Sequence, residues 1–195
     1  SSTGGSDFLV RSTLSVNHNV SPTPTTVNST QVITARTFDG AQWSAPERIA
    51  LITPDNLANS SNLVISEIMP RPSAPNVDEI AAGFDKREEF EYLELLNISD
   101  IPVALIGLRF AMGVQFDFNQ SPISLLQSGA RVLLVKNRAA FEFRYGTGLS
   151  SRIVGEFQNG TMLKNEGEQL SITTFGGDGV RDFTYDDKEP WPVAP

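Results

Sequence analysis

Leu63-Val64-Ile65-Ser66-Glu67-Ile68-Met69 and Glu89-Phe90-Glu91-Tyr92-Leu93-Glu94-Leu95-Leu96-Asn97 decide the reading of this chain. Both are short, rich in branched and aromatic residues, and alternate with a period near two, which is the signature of a strand. Working outward, the same texture recurs at residues 107–112, 114–118, 131–136, 152–157, 169–174 and 180–185. Gly, Asn, Asp and Pro punctuate the intervals, as turns require. Gly176-Gly177-Asp178-Gly179 reads as a tight hairpin turn, because glycine reaches positive φ without a steric penalty. Upstream, residues 31–38 and 48–53 read as two strands joined by an Asp39-Gly40 hairpin turn. One helix stands out: Asn137 caps Arg138–Tyr145 and Gly146 stops it. Phe141 and Tyr145 share a face of that helix, and their expected place is an open end of the strand assembly. The fold class that follows is all-β, a β-sandwich with one short helix, preceded by a partial β-domain.

Composition narrows the functions. The 195 residues hold 15 Lys+Arg against 23 Asp+Glu, a net charge of −8, with one His and no Cys. The acidic balance opposes a phosphate backbone, so nucleic acid is not the expected partner. Without cysteine there are no disulfides, zinc fingers, iron–sulfur ligands or thiol nucleophiles, and a lone His18 rules out a multi-histidine metal site. No apolar run approaches the ~18–20 residues of a membrane span, so no membrane insertion is expected in this segment. The first 30 residues contain 13 Ser or Thr, and basic against acidic residues number 3 against 4 in residues 1–61 but 12 against 19 in residues 62–195. Thr53-Pro54-Asp55-Asn56-Leu57-Ala58-Asn59-Ser60-Ser61-Asn62 is rich in turn formers. The expected division is therefore a β-segment over 1–54, a linker over 55–61 and a sandwich over 62–195. The flexible-looking Ser1-Ser2-Thr3-Gly4-Gly5 start, without Met, reads as a piece of a longer exported protein.

Three acidic sets are candidate sites. Asp85, Glu88, Glu89, Glu91 and Glu94 form a cluster of hard oxygen donors of the kind Ca²⁺ takes. A strand period would split them, with Glu89, Glu91 and Leu93 on one face and Glu88, Phe90, Tyr92 and Glu94 on the other. The alternative is a charged, solvated strand edge that discourages aggregation. Glu67 and Glu94 sit within apolar strands. They read either as a glycosidase-type carboxylate pair or as structural carboxylates satisfied by hydrogen bonds, with Arg109 and Arg131 as available partners. Asp186 and Asp187, with Asp182 and Glu189 nearby, read as a cation or basic-peptide site or as a turn. Trp43, Trp191, Phe110, Phe116 and Phe118 would supply a sugar-stacking platform if several were exposed, and core residues otherwise. His18 has no nucleophile motif beside it, and no phosphate-cradling or nucleophile-elbow motif appears.

The order of several motifs resembles a known family. Val64-Ile65-Ser66-Glu67-Ile68-Met69, Glu91-Tyr92-Leu93-Glu94-Leu95-Leu96-Asn97, Pro102-Val103 with Leu105 and Gly107, and Leu133-Leu134-Val135-Lys136 with Ala140-Phe141 and Arg144-Tyr145-Gly146 are similar to a bacterial lamin-tail domain. Leu163-Lys164-Asn165-Glu166-Gly167-Glu168-Gln169-Leu170, and Tyr185-Asp186-Asp187 with Pro190-Trp191-Pro192, continue the likeness across about residues 62–195. The resemblance implies an immunoglobulin-like sandwich used for binding other proteins, carried in bacteria by large exported or surface proteins. Glu67 and Glu94 correspond to acidic positions of the family pattern, and with Asn97 they are the structural polar candidates. Residues 70–87 are long for the first loop of such a domain, and such domains usually continue past the position of Pro195 into one more strand, whose absence would leave an edge open to self-association. Thr34-Ala35-Arg36, Gly40 and Trp43-Ser44 resemble the last hairpin of the small β-sandwich appended to bacterial hexosaminidases.

The expectation is a non-catalytic interaction or spacer module, extracellular or in the cell envelope, with no cofactor. Its partner would be another protein or other domains of the same chain. A Ca²⁺- or carbohydrate-binding module stands second and a hydrolase fragment third.

Overall fold

A computed structural model describes residues 8–11, 30–38, 41–189 and 191. The Ser1–Gly5 start, His18, the Asp39-Gly40 turn, Pro190 and Pro192 lie outside the described residues. The chain divides into two compact units, residues 1–57 and 58–195.

In the first unit β1 (Phe8–Arg11), β2 (Gln31–Thr37) and β3 (Glu47–Leu51) form an antiparallel sheet in that order. β2 and β3 pair through Ile33 opposite Ile49, and a Phe38–Trp43 bridge continues the ladder toward the turn. A hydroxyl–amide cluster ties the start of β2 to the end of β3. The Thr53 N–H donates to Thr30 Oγ1 at 2.9 Å, and Thr30 Oγ1 donates to Asn56 Oδ1 at 2.7 Å.

The second unit carries β4 (Leu63–Met69), α1 (Val77–Ala81), β5 (Tyr92–Asn97), β6 (Val103–Ala104), β7 (Leu108–Met112), β8 (Phe116–Asp117), β9 (Leu125–Leu126), β10 (Arg131–Val135), α2 (Arg138–Tyr145), β11 (Ile153–Glu156), β12 (Gly167–Thr174) and β13 (Gly179–Asp186). Two four-stranded sheets run β11-β10-β5-β4 and β13-β12-β7-β8, with β6 and β9 as a small ribbon. All pairs are antiparallel except β10 with β11. The fold is an all-β sandwich. Leu93, Leu95, Val132 and Leu134 of one sheet meet Phe110, Phe116, Leu170 and Ile172 of the other in one buried core. No helix among the described residues is long and apolar enough to cross a membrane.

Val132-Leu133-Leu134-Val135 is apolar without alternation because β10 is buried on both faces. Val132 and Leu134 face the other sheet, whereas Leu133 and Val135 join Tyr92, Ile153 and Phe141 in a second cluster. Helix α2 therefore covers the outer face of a sheet and does not plug an end of the sandwich. The Tyr92 and Phe141 rings meet edge-on, centroids 5.5 Å apart.

The sandwich is stitched along one side. Gln158 N donates to Gln115 O at 2.8 Å, and Asp117 N donates to Gln158 Oε1 at 3.1 Å. Gly155 sits so close to Phe116 that a Cβ there would lie 2.3 Å from the ring, which is why β11 carries no side chain at that point.

Two sequence expectations change. The strand placed at 89–97 begins only at Tyr92, because Arg87–Phe90 is a 3₁₀ turn. The long loop at 70–87 holds a second helix, α1, started by a capping box. Asn76 Oδ1 accepts from Asp78 N and Glu79 N, and Glu79 Oε2 accepts from Asn76 N at 2.8 Å. Glu79 is buried and held by Arg144 of α2 through two bonds of 2.7 and 2.8 Å, with the guanidinium 3.4 Å above the Phe90 ring. The Arg144 bond holds the Glu79 carboxyl below its ordinary range, against the opposing effect of burial. Stability from this pair is thus present above pH ~4.5 and lost on acidification. Breaking a buried bidentate pair strands its partner, so Arg144→Ala is expected to cost about 3 kcal/mol in urea unfolding. Adding Glu79→Ala should recover part of that loss, which a double-mutant cycle measures.

Candidate functional site

The sequence pointed to acidic residues, and the structure disperses them. Asp85 is exposed, and Glu88 and Glu89 are half-buried in the 3₁₀ turn. Glu89 caps its own turn, its carboxylate accepting from Lys86 N at 3.2 Å and from Asn137 Nδ2 at 3.3 Å. The period-two split fails over residues 87–90, where a 3₁₀ turn repeats every three residues, and holds from Glu91 onward, with Glu91 and Leu93 turned inward and Tyr92 toward the outer cluster. Among the described residues no three His, Cys, Asp or Glu side chains are placed to hold a metal ion.

Glu91 departs furthest from its expected place on a solvated edge. It is fully buried, and its Oε2 accepts from Leu163 N at 2.9 Å. Its Oε1 has no hydrogen-bond partner among the described residues. Lys136 gives its backbone N–H to Glu91 O, while its ammonium donates to Thr161 O at 2.6 Å. Glu91 and Lys136 thereby pin the segment between β11 and β12. Burial pushes the Glu91 carboxyl up to about 7, opposed by the Leu163 N–H and the Lys136 charge and reinforced by Glu88 and Glu168.

Glu67 and Glu94 are opposite one another across β4 and β5. A bulge between Ile65 and Glu67 resets the alternation, so that Ile65 and Ile68 both reach the core while Glu67 comes level with Glu94 and is exposed. Each carboxylate is engaged. Glu67 accepts from the Tyr92 hydroxyl, and Glu94 accepts from Ser66 Oγ at 2.6 Å and pairs with Arg131 Nε at 3.1 Å. Arg109, the other suggested partner, lies on β7 near Thr173 and the Phe175 ring. Burial and the Glu67 bond both raise the Tyr92 hydroxyl's pKa, so it remains a donor.

Asn97 is fully buried and fully used. Its Nδ2 donates to Ile101 O and Leu126 O, and its Oδ1 accepts from Ser99 N and Ser99 Oγ, all within 2.7–2.9 Å. It ties β5 to β9 and closes the following turn. Asp186 and Asp187 are exposed where β13 ends, and Asp182 takes two bonds from Gln169 Nε2. Phe110, Phe116 and Phe118 are core residues and form no sugar platform. Trp43 is exposed, its ring 4.7 Å from the exposed Phe38.

A concave site emerges that no motif announced. Between the outer strands β4 and β13 lies a groove of about 310 Å³, lined by Ile65, Ser66, Glu67, Ile68, Pro70, Phe183, Tyr185, Asp186 and Trp191. Trp191 folds back through a turn closed by its N–H to Lys188 O and stacks on Phe183, centroids 6.2 Å apart and planes 19° from parallel. No family model and no curated protein matches this chain.

The Glu91 carboxyl yields a pH prediction. A carboxyl raised from 4.5 to about 7 in the folded state costs stability as pH climbs through that window. The unfolding free energy is expected to fall by about 3 kcal/mol between pH 4.5 and 8 from this group alone. Glu91→Gln should flatten that slope in denaturant titrations at the two pH values.

Proposed function

We propose that residues 58–195 are a non-catalytic interaction module of a lamin-tail-like, immunoglobulin-like kind, carried by an exported or cell-surface bacterial protein and acting without a cofactor. The observation that carries this reading is how the sheet faces are spent. The inner faces form the core, and the outer face of the β11-β10-β5-β4 sheet takes α2. The outer face of the β13-β12-β7-β8 sheet, which carries exposed Arg109, Asp182 and Thr184, remains for partners together with edges and loops. The carboxylates first considered for hydrolysis are engaged by Tyr92, Ser66 and Arg131, in keeping with structural roles. A carbohydrate-binding reading stands second and draws on the exposed Phe38–Trp43 ring pair of the first unit.

Thermal unfolding separates the two. A protein-binding module keeps its melting temperature within about 1 °C in Ca²⁺ and across a glycan panel, whereas a ligand at a hundredfold excess over its dissociation constant adds about 2.7 kcal/mol. The same samples should show no glycosidase turnover, and Glu67→Gln and Glu94→Gln should leave that background unchanged.

A further inference from the structure

The two long sides of the sandwich are not alike. On the β8 and β11 side, backbone and glutamine hydrogen bonds join the sheets and Gly155 packs directly on Phe116. On the β4 and β13 side a groove lies between the two outer strands. Arg181 ties β13 to the start of β4, donating from Nη2 to Ser60 O at 2.8 Å and Leu63 O at 3.0 Å. The apolar part of the groove's lining comes from Ile65, Ile68, Phe183 and Trp191, with Tyr185, Glu67 and Asp186 beside it.

β4 and β13 each pair on one side only among the described residues. They differ as templates. The bulge at Ser66 interrupts the β4 ladder, which discourages pairing. β13 runs eight residues. Along β13 the residues alternate. Phe183 and Tyr185 point to the core side, while Asp182, Thr184 and Asp186 are exposed on the other face. Across the groove stands Glu67, whose Oε2 makes no hydrogen bond among the described residues. The lining residues include Glu67 and Asp186 and no Lys or Arg.

We propose that this groove receives a short extended segment of a partner protein, added as a strand along β13 over residues 182–186, with alternating apolar and basic side chains. Apolar side chains enter between Ile68, Phe183 and Trp191. Lys or Arg side chains fall beside Asp182 and Asp186 on the outer face, where opposite charges on neighbouring strands attract. Backbone hydrogen bonds to the free edge supply affinity, and the groove and carboxylates supply selection. The groove's volume suits a few side chains, not a folded surface. This inference rests on the interaction-module reading and names the chemistry of its partner.

The test uses the full chain and two fluorescein-tagged eight-residue peptides, one alternating valine with lysine and the other valine with glutamate. The lysine peptide is expected to bind saturably, with amide shifts in ¹⁵N spectra centred on β13 and Trp191, and the glutamate peptide not to bind. Asp186→Lys, an exposed change whose folding is checked by an unaltered melting temperature, should weaken binding about threefold to tenfold, the lost attraction and the added repulsion together. N-methylation of alternate backbone amides in the lysine peptide should abolish binding where side-chain attraction alone would not. Equal binding of both peptides, no binding of either, or indifference to Asp186→Lys overturns the groove proposal. Shifts centred on β8 and β11 also overturn it, yet leave the interaction-module reading standing. A dimer of the free protein that Asp186→Lys disperses makes a second copy the occupant and overturns it too. Hydrolysis of the peptides would remove both the groove proposal and the module reading.

Discussion

The second unit depends on burying β5 and β10 on both faces at once. Leu93, Leu95, Val132 and Leu134 fill the gap between the sheets, and Tyr92, Leu133 and Val135 accept helix α2 from the other side. A strand exposed on one face contributes half its side chains to stability, and a strand covered on both contributes nearly all of them. That demand explains the continuous apolar run in β10. It also explains why α2 follows immediately, since the helix must fold back over the sheet that β10 has just completed. Arg144 then lets α2 hold the long first loop through Glu79 and Phe90. One helix thus covers a sheet face and anchors a loop.

Buried carboxylates mark where this packing is under electrostatic tension. Glu79 is buried with a full complement of bonds and is stabilised as an anion. Glu91 is buried with one oxygen served by a backbone N–H and the other unserved, and it resists ionisation. The two titrate in opposite senses. Acid weakens the loop anchor at Glu79, and alkali strains the segment that Glu91 holds beneath β12. Burial alone does not set the sign, because the number and charge of the partners decide whether an anion is tolerated.

The strand positions were legible in the sequence wherever alternation was clean. Residues 63–69 match β4, and the Gly176–Gly179 turn joins β12 to β13 as glycine chemistry requires. The capping box of α1 was present as Asn76-Val77-Asp78-Glu79 but was overshadowed by the surrounding loop formers. The roles of the acidic residues were hidden for identifiable reasons. Glu91 keeps the parity of Leu93 and Leu95 and faces inward with them, a placement that its charge concealed. A one-residue bulge in β4 turned Glu67 outward.

The amino-acid pattern by itself determined that this chain makes strands, where most of them lie, and that metal sites built on cysteine or several histidines are excluded. These follow from local periodicity, turn chemistry and composition, which need no knowledge of distant partners. Only the tertiary structure decided which carboxylates are paired, which one is buried without a full set of bonds, and that a groove lined by Trp191 lies between β4 and β13. Each of these depends on contacts between residues far apart in the chain, set by sheet order and by single-residue shifts in register.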